Sequence, residues 1–410
     1  MEGGNALEIG IFQLLPAPET VADREVIEQA LWEVDCAEAG GFGSVWIAEH
    51  HLSPFGLVGS PSVYAAAIAQ RTRRLRIGYA VAVLPLHHPL RLAEEIAWVG
   101  HLSAGRLLVG VGPGFSPYEL GAFGVPLEER HARLEEGIAI LRAALAGDSF
   151  SYAGRFFDVP RVTLRPRPFG GCAPPLLRAC SSLESLRRAA NDGVPVMLGL
   201  KPVAQIAEHI AAYRACLAAL GRTEAEIDRE VAEIRVLRRV AVAPSDEEAL
   251  ADARQALLWE AATARRVHGA GGDATARAAG DTAVADPRAA DSRAADPRAA
   301  DPKAGASKAG VAKGSDAKAG VARGEDAKGD GAKAGDAAKL ADGSAADAAV
   351  EPAGACIGTP ATVLRELGAL HALGVRHVIA WLNFGDLPFA RVRRAMELLR
   401  QEVIPRLAGG

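Results

Sequence analysis

The sequence predicts an α/β protein folded as a closed (β/α)8 barrel of the TIM type, and three observations carry that expectation. Eight short aliphatic segments alternate along the chain with amphipathic stretches of helical length. One of them, Val45-Trp46-Ile47-Ala48, is apolar at consecutive positions, as suits a strand covered on both faces in a parallel sheet flanked by helices. That strand stops abruptly at Glu49-His50-His51, and the carboxyl ends of parallel strands are where such folds keep their chemistry.

Taken in order, strands are expected at Glu8 to Leu15, Ser44 to Glu49, Leu75 to Leu84, Arg106 to Gly112, Leu176 to Ala179, Val196 to Leu200, Ile234 to Val242 and His377 to Leu382. Helices are expected at Asp23 to Ala39, Pro61 to Arg71, Leu90 to Leu102, Leu127 to Leu145, Ser182 to Asn191, Pro202 to Leu220, Asp246 to Val267, Thr359 to Leu373 and Pro388 to Leu407. Thr359-Pro360 places proline at a first helical position, and Gly40-Gly41 and Gly374 stop two of the runs. Eight strand-then-helix units favour a barrel over a doubly wound sheet.

Between residues 269 and 352 the composition changes to Ala, Gly, Asp and Lys, aromatics vanish, and Ala-Asp-Pro-Arg-Ala is followed by Ala-Asp-Ser-Arg-Ala. So few large apolar groups cannot offset the roughly 1 to 2 kcal/mol per residue that ordering costs, so a disordered insertion after the seventh strand is expected. It would divide the barrel into residues 1–268 and 353–410. The Pro- and Arg-rich stretch from Gly147 to Pro175 is expected as a second elaboration near the active face.

The chain has 410 residues, 49% apolar but only 5% aromatic, enough for a large core built from aliphatics. Forty-six basic and 50 acidic residues leave a net charge of -4, so no broad positive field invites nucleic acid or an anionic membrane. The five cysteines are scattered without a Cys-x-x-Cys pair, which argues against a disulfide framework or a zinc site and fits a reducing cytoplasm. No stretch has the length of a membrane span or the form of a secretion signal. A small-molecule enzyme is the expectation.

Imidazole titrates near neutrality, so His50 and His51 suit proton exchange at a strand end. A metal reading would need Glu49, His87 and His88 to converge, and neighbours on an extended strand alternate faces, so no metal is expected. Gly110-Val111-Gly112-Pro113-Gly114 lacks the spacing of a dinucleotide fingerprint, but its small residues let a flat ring approach the backbone. Ser181 and Ser182 precede a helix, whose amino-terminal amides favour anions; a plain N-cap explains Ser182 equally well.

In order, Glu49-His50-His51, Phe55 to Pro61, Leu84 to Arg91, Ser103-Ala104-Gly105-Arg106 and Phe123-Gly124 closely resemble the bacterial luciferase-like flavin monooxygenases, the luciferase α-subunit type in particular. The resemblance implies a barrel that binds reduced FMN, forms a flavin hydroperoxide with O2 and oxidises a small organic substrate. It implies a separate flavin reductase as partner and a homodimer. By the same resemblance His50 is the acid/base with His51 beside it, while Glu49, Gly112 and a cis Ala80-Val81 peptide lie at the flavin. Ser181 and Ser182 would hold its phosphate. The family often has arginine where this chain has Pro113, so Arg130 or Arg133 becomes the substitute, and Cys180 stands where luciferase has glutamate. A deazaflavin-dependent oxidoreductase on the same barrel and a non-catalytic flavin-binding partner subunit are the alternatives.

Overall fold

The structure is a computed structural model that describes residues 6–268 and 354–408; the insertion expected at 269–352 lies outside the described residues. Strands form at β1 Glu8–Gln13, β2 Ser44–Ile47, β3 Arg76–Val83, β4 Leu107–Gly112, β5 Phe150–Ala153, β6 Asp158–Val162, β7 Leu176–Cys180, β8 Val196–Leu198, β9 Arg235–Val242, β10 Ala355–Gly358 and β11 His377–Trp381. Helices are α1 Asp23–Gly40, α2 Pro61–Arg71, α3 Pro89–Leu102, α4 Pro117–Ala122, α5 Arg130–Leu145, α6 Leu183–Asp192, α7 Val203–Ala219, α8 Glu224–Ala232 and α9 Asp246–His268. Beyond the insertion come α10 Pro360–Ala372, α11 Phe389–Leu398 and α12 Ile404–Ala408.

Eight parallel strands pair in the order β11, β1, β2, β3, β4, β7, β8, β9, and pairing of β9 with β11 closes the ring. These eight are the strands the sequence predicts. β10 is an addition: it pairs with Arg239 to Val242 of β9, following β8, which pairs with Arg235 and Val236 on the same edge. The Gly147 to Pro175 elaboration contains an antiparallel hairpin, β5–β6, fixed to α5 where Glu136 accepts from the amides of Arg155 (2.8 Å) and Phe156 (3.0 Å). Its turn reaches His88, whose ring meets Phe157 at 5.7 Å, beyond the carboxyl end of β3.

Alternation along each strand sorts the side chains into two cores. Ile9, Ile11, Val45, Ile47, Ile77, Val109 and Val236 face the helices; Phe12, Trp46, Leu108, Leu177, Met197 and Ile379 fill the barrel. At the amino-terminal end of the barrel Glu8 binds Arg76 (2.6 Å) and lies 3.6 Å from His377. Burial opposes ionisation of Glu8, yet these partners hold its carboxyl at about 2. One layer up, Trp46 fills the centre. A Cβ on Gly78 would stand 2.2 Å from its ring, so glycine there makes room for the indole.

The carboxyl-terminal end of the barrel is unequal. Phe12, Arg239 and Trp381 stand on β1, β9 and β11, whereas β3, β4, β7 and the end of β8 contribute Ala80, Gly112, Ala179 and Gly199. Outside the barrel, a polar junction ties this end together. Glu33 of α1, 2% exposed, accepts from Gln13 Nε2 (2.9 Å) and from Asn383 Nδ2 (3.2 Å), and the Tyr64 hydroxyl of α2 donates to Gln13 Oε1. Burial pushes the Glu33 carboxyl up to about 8, since its hydrogen-bond donors are neutral amides.

Candidate active site

β2 ends at Ile47, and the chain then turns across the rim with His50 N donating to Val58 O (3.0 Å). The three residues after Ala48 diverge. Glu49, 2% exposed, accepts from His51 Nε2 (2.8 Å), from His87 Nε2 (2.8 Å) and from the Val83 amide (2.7 Å). Burial opposes its charge, but these donors outweigh burial and hold its carboxyl at about 2. For His87 burial is likewise outweighed, and the carboxylate raises the imidazole above its ordinary value.

His50 turns the other way. Its Nδ1 lies 2.9 Å from Glu119 Oε1, which also accepts from the His51 amide (3.3 Å). The Phe55 and Phe115 rings meet the imidazole edge-on at 4.9 and 5.7 Å. Glu119 is 4% exposed and belongs to the six-residue helix α4, started by Ser116, whose hydroxyl accepts from the Glu119 amide (3.2 Å). A carboxylate at Nδ1 favours the tautomer with its proton there and directs the other nitrogen as the exchanging one.

Beside these groups, from β3 onward, lies the small half of the rim. The Ala80–Val81 peptide is cis, and the register of β3 against β4 shifts between Tyr79 and Ala82. Tyr79 and Ala82 pack toward the helices while Ala80 and Val81 both pack, partly exposed, with the barrel interior. A Cβ on Gly112 would come 2.7 Å from Val81 Cγ2, whereas one on Gly199 would meet nothing within 4 Å. Small groups thus occupy four adjacent strands, with Ala80, Val81 and Ala179 partly exposed, Gly199 exposed and Gly112 buried.

A family model described as luciferase-like monooxygenase matches residues 7–377. The chain belongs to that family. Limonene 1,2-monooxygenase of Rhodococcus erythropolis is 30% identical over 236 residues, 57% of this chain and 60% of that protein. The oxygenase component of the flavin-dependent trigonelline monooxygenase of Acinetobacter baylyi is 30% identical over 249 residues, 58% of this chain and 66% of that one. The chain spans about half the length of the curated relatives it matches. A monooxygenase structure from Streptomyces bottropensis superposes with a TM-score of 0.70 at 22% identity, covering 98% of this chain and 99% of that one. A coenzyme F420 dependent tetrahydromethanopterin reductase from Methanopyrus kandleri reaches 0.64 at 17%, with the same coverage.

Within this luciferase-like barrel, Glu49, His50, His51, Ala80, Val81 and Gly112 all stand at the carboxyl-terminal rim or in its layer. Ser181 and Ser182 precede α6: Ser181 is exposed, and Ser182 closes a capping box in which its hydroxyl accepts from Ser185 N (3.3 Å) and Ser185 Oγ accepts from Ser182 N (3.1 Å). Arg133 is taken up by Glu129 (2.8 Å) and lies over Phe156. Arg130 donates to Leu127 O (2.9 Å) at the start of α5. Burial lowers the neighbouring His131, and Arg130, Arg188 and Arg178 lower it further, so these cations gather where α5 meets α6. Cys180 points away from the barrel to Ser185 O (3.4 Å), with its thiol pushed up to about 12 by burial. Among the described residues no group of His, Cys, Asp and Glu is arranged to hold a metal ion, and no helix is long and apolar enough to cross a membrane. Glu119 is not among the residues expected from sequence, although Ser116-x-x-Glu119 has the spacing of a helix start.

Proposed function

We propose that the chain is the oxygenase of a two-component system, using reduced FMN and O2 to place one oxygen atom in a small organic substrate and the other in water. The observation that carries this is the bed of Ala80, Val81, Gly112, Ala179 and Gly199 on the same rim as the His50–Glu119 pair. Its apolar surface, accessible at Ala80, Val81, Ala179 and Gly199, fits an isoalloxazine, and the amino terminus of α6 fits its phosphate. Reduced FMN, when bound, supplies the electrons that activate oxygen.

The chain's own residues do the rest. Ser181, Ser182 and Arg130 hold the phosphate, Ser181 with its exposed hydroxyl and Ser182 through the helix start it caps. Glu119 accepts from His50 Nδ1, and His50 takes up or gives a proton at the reacting atoms through its other nitrogen. Glu49 keeps the His51 and His87 loops registered against β3, and the surrounding aromatic rings exclude water. A separate flavin reductase delivers the cofactor, a role supported by the relative named as an oxygenase component. The chain works as a homodimer in the cytoplasm.

Anaerobic titration with reduced FMN, followed by mixing with oxygen and a panel of organic substrates, tests the reading. Binding of reduced FMN followed by oxygen uptake coupled to product is expected. Preferential binding of the deazaflavin F420, or hydride transfer without oxygen, would overturn it. His50→Ala that kept full turnover would point to a non-catalytic subunit.

A further inference from the structure

The large half of the rim carries a charge that the protein itself neutralises. Arg239 projects from β9 into the barrel with its guanidinium 5.1 Å over the Trp381 ring. Its Nε donates to Glu260 Oε2 (3.1 Å) and a second nitrogen donates to Glu260 Oε1, and both side chains are only 6% exposed. Glu260 belongs to α9, whose buried face of Ala249, Ala253, Ala256, Glu260 and Thr263 recurs at helical spacing. Leu200, Leu237, Leu257, Ile357 and Leu387 come from five different segments and stay partly exposed, packed against the same interior cluster that contains Trp381. The indole nitrogen of Trp381 is buried and has no partner among the described residues.

We propose that this half of the rim is a substrate subsite for an uncharged, hydrocarbon-rich molecule with a hydrogen-bond acceptor, and that Glu260 sets the charge selectivity by occupying Arg239. The inference rests on reading the rim as the active site. An anionic substrate drawn to Arg239 must displace Glu260, leaving a buried carboxylate without its cation, which is strongly unfavourable. A neutral molecule leaves the pair intact and gains from covering the five aliphatic side chains. Its one polar requirement is a neutral donor, and Trp381 is of that kind. Glu260 is thus a specificity-determining residue that acts through Arg239.

Calorimetric titration of the full chain with 2-decanone and with decanoate at neutral pH tests the subsite directly. The ketone is expected to bind about tenfold tighter or better, and Glu260→Gln is expected to raise decanoate affinity about tenfold while leaving the ketone unchanged. Equal or tighter binding of decanoate by the wild type, binding of neither probe, or a folded Glu260→Gln without the gain would overturn the proposal. If circular dichroism shows that variant unfolded, Arg239→Gln with Glu260→Gln replaces it. This double variant is expected to keep the ketone preference, and loss of that preference in a folded protein would also overturn the proposal. Reduced FMN is titrated separately. Flavin that fails to bind while the ketone preference stands removes the cofactor reading alone, and the reverse outcome removes this inference alone.

Discussion

Replacing Glu33 with glutamine should change how stability depends on pH. Glu33 lies in the junction of α1, Gln13 and Asn383, where burial pushes its carboxyl from 4.5 up to about 8. The folded protein therefore holds a proton that the unfolded chain releases. Between pH 4.5 and about 8 the folded state binds more protons, so stability falls by about 1.4 kcal/mol per pH unit and levels off above that window. Raising the pH from 5 to 7.5 should thus cost the wild type about 3 kcal/mol at this one position. Glutamine is neutral throughout and nearly isosteric. Its amide can donate to Asn383 Oδ1, an atom with no partner among the described residues, once the Asn383 side chain turns over. Urea unfolding of both proteins at several pH values, with the difference taken at each, cancels the other titrating groups. Glu33→Gln should gain on the wild type by about 3 kcal/mol from pH 5 to 7.5. A difference that stays flat across this range would refute the assignment of a neutral, buried Glu33.

Four other outcomes are expected. Glu49→Gln should destabilise the protein by about 3 kcal/mol at neutral pH, because it leaves His51 and His87 without their carboxylate. The Glu49 carboxyl sits at about 2, so its contribution is present above 4.5 and lost as pH falls toward 2; the variant's acid unfolding limb should be correspondingly shallower. The rise in His87 is the same pairing seen from the other partner and adds nothing further. Glu119→Gln should lower kcat about tenfold to a hundredfold by releasing the His50 ring, with affinity for reduced FMN nearly unchanged, and steady-state kinetics alongside flavin titration would separate the two. Gly199→Leu should fold normally, since its Cβ meets nothing within 4 Å, yet weaken reduced FMN binding about tenfold in fluorescence titration. Ser182→Ala should cost about 1 kcal/mol through loss of the α6 cap, read from thermal unfolding, and should also weaken binding of FMN more than of riboflavin.

The eight barrel strands were legible because each is an aliphatic run long enough to be seen without its neighbours. The β5–β6 hairpin was not: its strands are half-exposed, and Pro160 inside β6 argues against a strand by every local rule. α8 could have been found, since Thr223 and Glu226 form the reciprocal box that its sequence spells. The site divides along the same line. Glu49, His50 and His51 are contiguous and stand at a strand end, so their pattern is local. His50's partner is Glu119, 69 residues further on, and Ser116-x-x-Glu119 announces a helix start without saying where the carboxylate turns. His87 reaches Glu49 across a separation of 38 residues, which no pattern within either segment reveals. The contrast between a rim of Ala80, Gly112, Ala179 and Gly199 and one of Phe12, Arg239 and Trp381 depends on register between strands distant in sequence. Alternation tells which residues face inward, but which of them share a layer follows from the stagger of the closed barrel, and that stagger is a property of the whole ring. A local clue did exist in Arg238-Arg239: two adjacent arginines in a strand buried on both faces require buried acceptors, which proved to be the carbonyls of Lys201 and Ala355 for one and Glu260 for the other.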